Sequence, residues 1–325
     1  MQGKVAAMNV RALSAAEVAS QPGVDHTVVT TEAWLTAFAG EVQAYGVFDG
    51  DALQAVFAAR RERRWGIPVC QDPLLAPHCG LVLTGVPGSV ERMNGRRKDV
   101  VWAIADFLSR SPWTLISLSF PDWTGDFQPF VWRGFKVVVQ YTYQIRLIGR
   151  TDMTLLAQMG ERRRSQIRNG HKRGLRVEPC LDLGVIKDLV DRTFARQKIR
   201  NDRASIHRLL HDFAHKGNSF ACATISEGVP VAVTFCVYDK RRAYYLLGGV
   251  DERQQQPAAA PMAMFACIQR ARELGLEVFD FEGSMVPGIE RYFRSFGGDL
   301  VPMCRVVKAP LPIELLLKPF KRSLF

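Results

Sequence analysis

The chain has 325 residues, too many for one ordinary small domain and about right for two. Apolar residues make up 47%, as in a chain with real cores, and no window is biased enough in composition to be disordered. The formal net charge of +11 favours anionic partners, whether phosphorylated cofactors, nucleic acid or a membrane face, without choosing among them.

The opening stretch, MQGKVAAMNVRALSAAEV, lacks the continuous apolar run of a signal peptide. No stretch reaches the roughly 18 uncharged apolar residues of a spanning helix. A cytoplasmic protein is expected. The cysteines Cys70, Cys79, Cys180, Cys222, Cys236, Cys267 and Cys304 agree with that: they are odd in number and scattered, with no CxxC and no Cys/His spacing for zinc. Neither a metal site nor a disulfide framework is expected.

In chain order, residues 100–120, VVWAIADFLSRSPWTLISLSF, predict a helix and then a strand. Val101, Ile104, Ala105 and Leu108 recur at helical spacing, and Pro112 lies beyond the helix end. After a loop, Phe130-Val131-Trp132-Arg133-Gly134-Phe135 leads into the strand VVVQYTYQIRL. Helical patterns follow over residues 152–173 and 184–200. FACATISEGVPVAVTFCVYDKRRAYYLLGGV then reads as three antiparallel strands, with turns at Glu227-Gly228 and Asp239-Lys240. Residues 261–281, PMAMFACIQRARELGLEVFDF, repeat the earlier helix and strand, with Pro261 in the first turn and Gly275 at the C-terminal end. Phe293-Arg294-Ser295-Phe296-Gly297-Gly298 and the strand LVPMCRVVK repeat what followed.

The matched segments are offset by about 160 residues, half the chain, and four elements recur in the same order. The expectation is two domains of similar α+β fold, over residues 1–149 and 150–305, with a tail over 306–325 that packs back.

This order resembles the GNAT acyltransferase fold present twice, as in the Fem-type aminoacyltransferases, the FemAB-like branch of that superfamily. The segments that carry the resemblance are ERRRSQIRNGHKRGLRVE, YYLLGGVD, the helix from Pro261, FDFEGS and YFRSFGG. They cover roughly residues 130–305, and the first half resembles the family by architecture alone. The resemblance implies tandem domains of mixed, mostly antiparallel sheet flanked by helices. It also implies transfer of an acyl or aminoacyl group to an amine, with aminoacyl-tRNA, acyl-CoA or an acyl-carrier protein as donor co-substrate. Peptidoglycan, other cell-envelope or polysaccharide precursors are the acceptors it implies.

Four departures stand out. The family's Phe-Lys pair is here Phe293-Arg294, a planar fork in place of a point charge. The glycine-rich pyrophosphate loop of acyl-CoA-binding GNATs corresponds to DERQQQPAAAPM, which has no glycine. The tyrosine that many GNATs use as general acid corresponds to Phe293, with Tyr292 as its neighbour. The helical arm of some tRNA-dependent members has no counterpart in residues 184–216.

Individual residues sharpen the expectation. ERRRSQIRNGHKRG holds six Lys/Arg in 14 residues, and Arg164, Arg168 and Lys172 share one helix face. They await a phosphorylated or nucleotide-linked substrate, tRNA, or nearby acids. Arg163 falls on the apolar face instead. In FDFEGS, alternation sends Phe279 and Phe281 to the core and sets Asp280 and Glu282 together on the other face. Each acid either takes a proton from an amine nucleophile or bridges to Arg291 or Arg294 and only orders the loop. Of Tyr244 and Tyr245, only one can face a cleft. Backbone from Leu246 to Gly248 is the candidate oxyanion donor, although a plain turn would also use Gly248-Gly249. His207, His211 and His215 recur every four residues and, without an HExxH pattern, read as a surface stripe. The tail APLPIELLLKPFKRSLF either packs on a domain or rests peripherally on a membrane.

The reading is an N-acyltransferase with catalytic candidates Asp280, Glu282, Tyr245 and Arg294. Arg164, Arg168, Lys172, Leu246, Gly248, Arg291, Tyr292 and Phe293 are its substrate-binding candidates. Two alternatives stand: an acyl-CoA- or acyl-carrier-dependent N-acetyltransferase of a small amine, and a non-catalytic RNA- or lipid-binding module.

Overall fold

The computed structural model describes residues 8–319 except Pro22, Trp65, residues 86–87, residues 198–201 and Ser284. The chain forms two compact units: residues 1–140 with 302–325, and residues 141–301. The divide falls at Gln140/Tyr141 rather than near residue 150, and the segment from Pro302 onward groups with the first unit.

The first unit holds strands β1 (Asn9–Leu13), β2 (Val42–Asp49), β3 (Ala52–Arg64), β4 (Ile67–Gln71), β5 (Val82–Leu83) and β6 (Leu115–Phe120). Its helices are α1 (Ala15–Ala19), α2 (Glu32–Ala37), α3 (Val90–Arg110) and α4 (Gln128–Trp132). Strand β7 (Lys136–Arg146) follows and enters the second unit. There come α5 (Asp152–Gln158), α6 (Glu161–Lys172), β8 (Arg176–Pro179), α7 (Leu183–Gln197) and α8 (Arg203–Arg208). They are followed by β9 (Ser219–Ser226), β10 (Val229–Tyr238), β11 (Arg242–Val250), α9 (Ala259–Glu273), β12 (Val278–Asp280) and α10 (Pro287–Arg294). Strand β13 (Asp299–Lys308) returns to the first unit, and α11 (Leu311–Leu317) ends the described chain.

Strand order in the first unit runs β1-β2-β3-β4-β6-β13, and in the second β8-β9-β10-β11-β12-β7. In both, only the fourth and fifth strands pair in parallel: β4 with β6, and β11 with β12. In both, the sixth strand pairs antiparallel with the fifth: β13 with β6, and β7 with β12. The repeat legible in the sequence is therefore a repeat of topology. Each unit takes its last strand from the other half of the sequence.

Local chemistry explains the elements near the site. Pro261 sits in the first turn of α9, and Gly275 closes the helix at φ 76°. Met264, Cys267, Ile268 and Ala271 are buried as the predicted stripe. Glu227 and Gly228, both at positive φ, make the tight turn between β9 and β10. The helix predicted over 184–200 runs as α7 to Gln197, and residues 198–200 lie outside the described residues. Pro287 and Gly288 are the first residues of α10. The histidine stripe does not form. After α8 the chain makes one wider turn, with Ala214 N–H donating to Leu209 O (2.9 Å), and His215 lies past its end. His207 and His211 stack at 4.3 Å. Among the described residues no cluster of three His, Cys, Asp or Glu is placed to hold a metal ion, and no helix is long and apolar enough to cross a membrane.

Candidate active site

The parallel pair at the centre of the second unit opens like a fork. β11 and β12 pair only over Arg242–Tyr244 and Val278–Asp280. Beyond Tyr244 the register against β10 shifts: Tyr245 faces Cys236, Leu247 faces Phe235, and Leu246 is the extra residue of a bulge. Asp251 N–H donates to Val231 O on β10 (2.8 Å), whereas Val250 N–H points the other way, to Thr193 Oγ1 (3.0 Å). By alternation along the strand, Gly248 N–H points off the β10 edge, as Val250 N–H does.

Two side chains occupy the fork. Tyr245 lies edge-on to Phe293 (5.7 Å between centroids), and its hydroxyl sits over Gly248, where an added Cβ would collide with it. Burial pushes the Tyr245 phenol well above its ordinary pKa, with smaller contributions from Tyr292, Cys236 and Glu282. Tyr244 is the tyrosine turned into the core, at 1% exposure.

Glu282 is the second. Alternation would set it beside Asp280 on one strand face, but β12 ends at Asp280 and Glu282 adopts φ 60°. A left-handed non-glycine residue costs on the order of 1–3 kcal/mol. Gly283 follows at φ 78°, against the Tyr141 carbonyl, where a Cβ would stand 2.5 Å from the oxygen. Glu282 is half-buried as a residue, yet its Oε1 is sealed from solvent without a hydrogen-bond partner. Burial, and then the Asp280 charge, hold its carboxyl well above the ordinary carboxylate range.

Asp280 is placed differently. It is 3% exposed, and its oxygens accept from Thr142 Oγ1 (2.6 Å), Gln144 Nε2 (2.9 Å) and Glu282 N–H (2.8 Å). Arg242 approaches to 3.7 Å. The expected pairing of the two acids with Arg294 does not form. Arg294 is exposed and pairs with Glu290 (3.0 Å), which accepts from Tyr143 (2.8 Å). Arg291 is exposed on α10. Phe293 is buried against Phe281 (5.0 Å), and Tyr292 meets Phe296 edge-on (5.2 Å). Burial raises the Tyr292 phenol to about 12, opposed by Arg163.

Helix α6 borders this aromatic cluster. Arg163 lies over Tyr292 (4.5 Å) and Phe296 (4.8 Å), and its Nε donates to Ser295 (2.9 Å). Gly170 lets α6 press on α9: a Cβ there would collide with Met262 and stand 2.9 Å from Ala258. Arg168 and Lys172 are exposed, and Arg164 reaches the Ala157 carbonyl (3.5 Å). Among the described residues no acid pairs with these three cations. The loop from β11 to α9 holds no glycine, and Gln255 takes the left-handed turn at φ 46°. Ala258 leaves the α9 N-terminus without a side-chain cap.

The first unit has its own polar node where β6 meets β13. Asp72 accepts from Ser119 N–H (2.6 Å) and Oγ (2.9 Å) and pairs with Arg305 (3.3 Å). Burial raises its carboxyl to about 6, opposed by Arg305. The strand LISLSF carries no acid, but β4 delivers one beside it.

Residues 161–294 match the family model described as an acetyltransferase (GNAT) domain. The second half of this chain carries a GNAT domain. The chain is accordingly an acyltransferase by class. Solved structures share the whole architecture. FemX covers 94% of this chain and 97% of its own, at 15% identity and a TM-score of 0.64. L-PGS from Bacillus licheniformis covers 88% and 89%, at 10% identity and 0.54. A tandem GNAT protein from the clavulanic acid biosynthesis pathway covers 93% and 98%, at 10% identity and 0.51. These likenesses show the fold. No curated protein matches the chain by sequence. In the second unit the residues unforeseen from sequence are Thr142, Gln144 and Arg242, which fix Asp280, and the Tyr143–Glu290 bond. The polar faces of strand β7 were their one available signal.

Proposed function

We propose that the second unit transfers an acyl or aminoacyl group to a primary amine in the fork between β11 and β12. The observation that carries this reading is the unpartnered Glu282 carboxyl, held under backbone strain just past the end of β12, in a unit where the Tyr245 hydroxyl lies over Gly248. The amine nitrogen attacks the donor carbonyl carbon, and the charge that develops on oxygen meets the Gly248 N–H. Glu282, its affinity for a proton raised toward that of an amine, takes the proton the nucleophile must lose. Tyr245 stays protonated at neutral pH and supplies a proton to the leaving group, the part that Phe293 cannot play. Asp280 serves as the fixed anchor of the strand end.

Arg164, Arg168 and Lys172 hold phosphate groups of the donor or acceptor, and Arg291 and Arg294 face the anionic part of the acceptor. Exposed Met285, Val286 and Ile289 at the start of α10 suit an acceptor with an apolar portion, in keeping with an envelope precursor. Acyl-CoA as donor is the second reading. The N-terminus of α9, which has no side-chain cap, favours it, because the positive end of a helix can attract a pyrophosphate without a glycine loop. A screen with aminoacyl-tRNA, acyl-CoA and acyl-carrier donors against labelled amines tests both. Turnover with one donor supports the reading; a folded protein inert to all three removes it.

A further inference from the structure

One corner of the first unit turns apolar side chains to solvent. On α11, Leu311 (66%), Leu315 (60%) and Leu316 (67%) are exposed, while Ile313, Glu314 and Leu317 face inward. Glu314 of α11 pairs with Lys136 at the start of β7, and Lys308, three residues before α11, donates from its Nζ to the Arg133 carbonyl at the end of α4 (2.9 Å). The end of α4 itself exposes Val131 and Trp132 (56% each). Three leucines, a valine and a tryptophan thus share one corner.

Cations surround it. Lys98 lies over Trp132 (5.2 Å) and pairs with Asp126 (3.3 Å), Arg133 lies over Trp102 (4.7 Å) and pairs with Asp106, and Lys136 and Lys318 flank α11, so cations outnumber acids at this corner. We propose that this corner is a membrane-contact surface that docks the protein reversibly on anionic phospholipid. Apolar side chains enter the acyl boundary, Trp132 sits at headgroup depth, and the lysines meet lipid phosphates. A second copy of the chain fits less well: a two-fold contact would set a patch of net positive charge against its own image. The surface is independent of the acyl chemistry.

Sedimentation of the full chain with phosphatidylcholine vesicles, with and without phosphatidylglycerol, tests the proposal. The expected result is binding only when phosphatidylglycerol is present, weakening as salt rises. The variant Leu315→Glu/Leu316→Glu, folded by circular dichroism, should bind roughly tenfold less. Trp132→Ala provides a second variant on the neighbouring helix, should the first misfold, and should also weaken binding. No sedimentation with either vesicle overturns the proposal, as does binding that ignores both variants. Self-association by analytical ultracentrifugation that the leucine variant abolishes, without vesicle binding, also overturns it in favour of an interface between copies.

Discussion

Gly248 and Tyr245 occupy one space: the tyrosine hydroxyl lies where any side chain on residue 248 would begin. Gly248→Ala should therefore push Tyr245 out of the fork and disturb the N–H beside it. The expected loss in kcat is about a hundredfold, with little change in Tm. Adding Tyr245→Phe removes the colliding oxygen, so the double variant should be no worse than Tyr245→Phe alone. Additive losses in that cycle would show that the two residues act apart.

Glu282 predicts an unusual dependence of stability on pH. Its folded pKa lies above its unfolded value, so the folded state holds the proton more tightly. That contribution is fully present below the ordinary carboxylate range and is lost as pH rises through the folded value. The loss runs at about 1.4 kcal/mol for each pH unit between the unfolded and folded values. Glu282→Gln should flatten this fall and melt at a higher temperature than the parent at alkaline pH. Parallel melting curves across that window would contradict the raised pKa.

Asp280 should matter to stability through its hydrogen bonds. Its removal strands Thr142, Gln144 and Arg242 around a buried void. Asp280→Ala is expected to cost about 3 kcal/mol of stability, and Asp280→Asn less, by denaturant titration. A loss of activity in Asp280→Asn at unchanged stability would instead place this carboxyl in the chemistry.

The exchanged strands make a prediction about folding. Cutting the chain near residue 150 deprives the first unit of β13, and the second of β7. Neither fragment should give the dispersed amide spectrum of a folded domain alone, and mixing should restore it. Two independently folded fragments would contradict the strand exchange.

The sequence made some of this legible. Helical spacing of Met264, Cys267, Ile268 and Ala271, and the glycine after α9, marked that helix because local rules govern helix faces and ends. Alternation placed Phe279 and Phe281 in the core, at 0% and 1% exposure. It failed one residue later, because the left-handed turn at Glu282 depends on packing against the Tyr141 carbonyl, more than 130 residues earlier in the chain. The strand exchange was hidden for a similar reason: a strand's pattern tells which face is buried, not which neighbour it pairs with. Arg294, chosen from the Phe-Lys resemblance, proves to be paired with Glu290 on the outer face of α10.

The most direct measurement is kcat for acyl transfer by the parent protein and by Glu282→Gln across pH. The parent rate should rise with pH through a value well above the ordinary carboxylate range, because only the ionised carboxyl accepts the amine proton. Glu282→Gln should lose about a hundredfold or more and the rise with it. An unchanged rate and an unchanged pH profile in Glu282→Gln would contradict the site described for this fork.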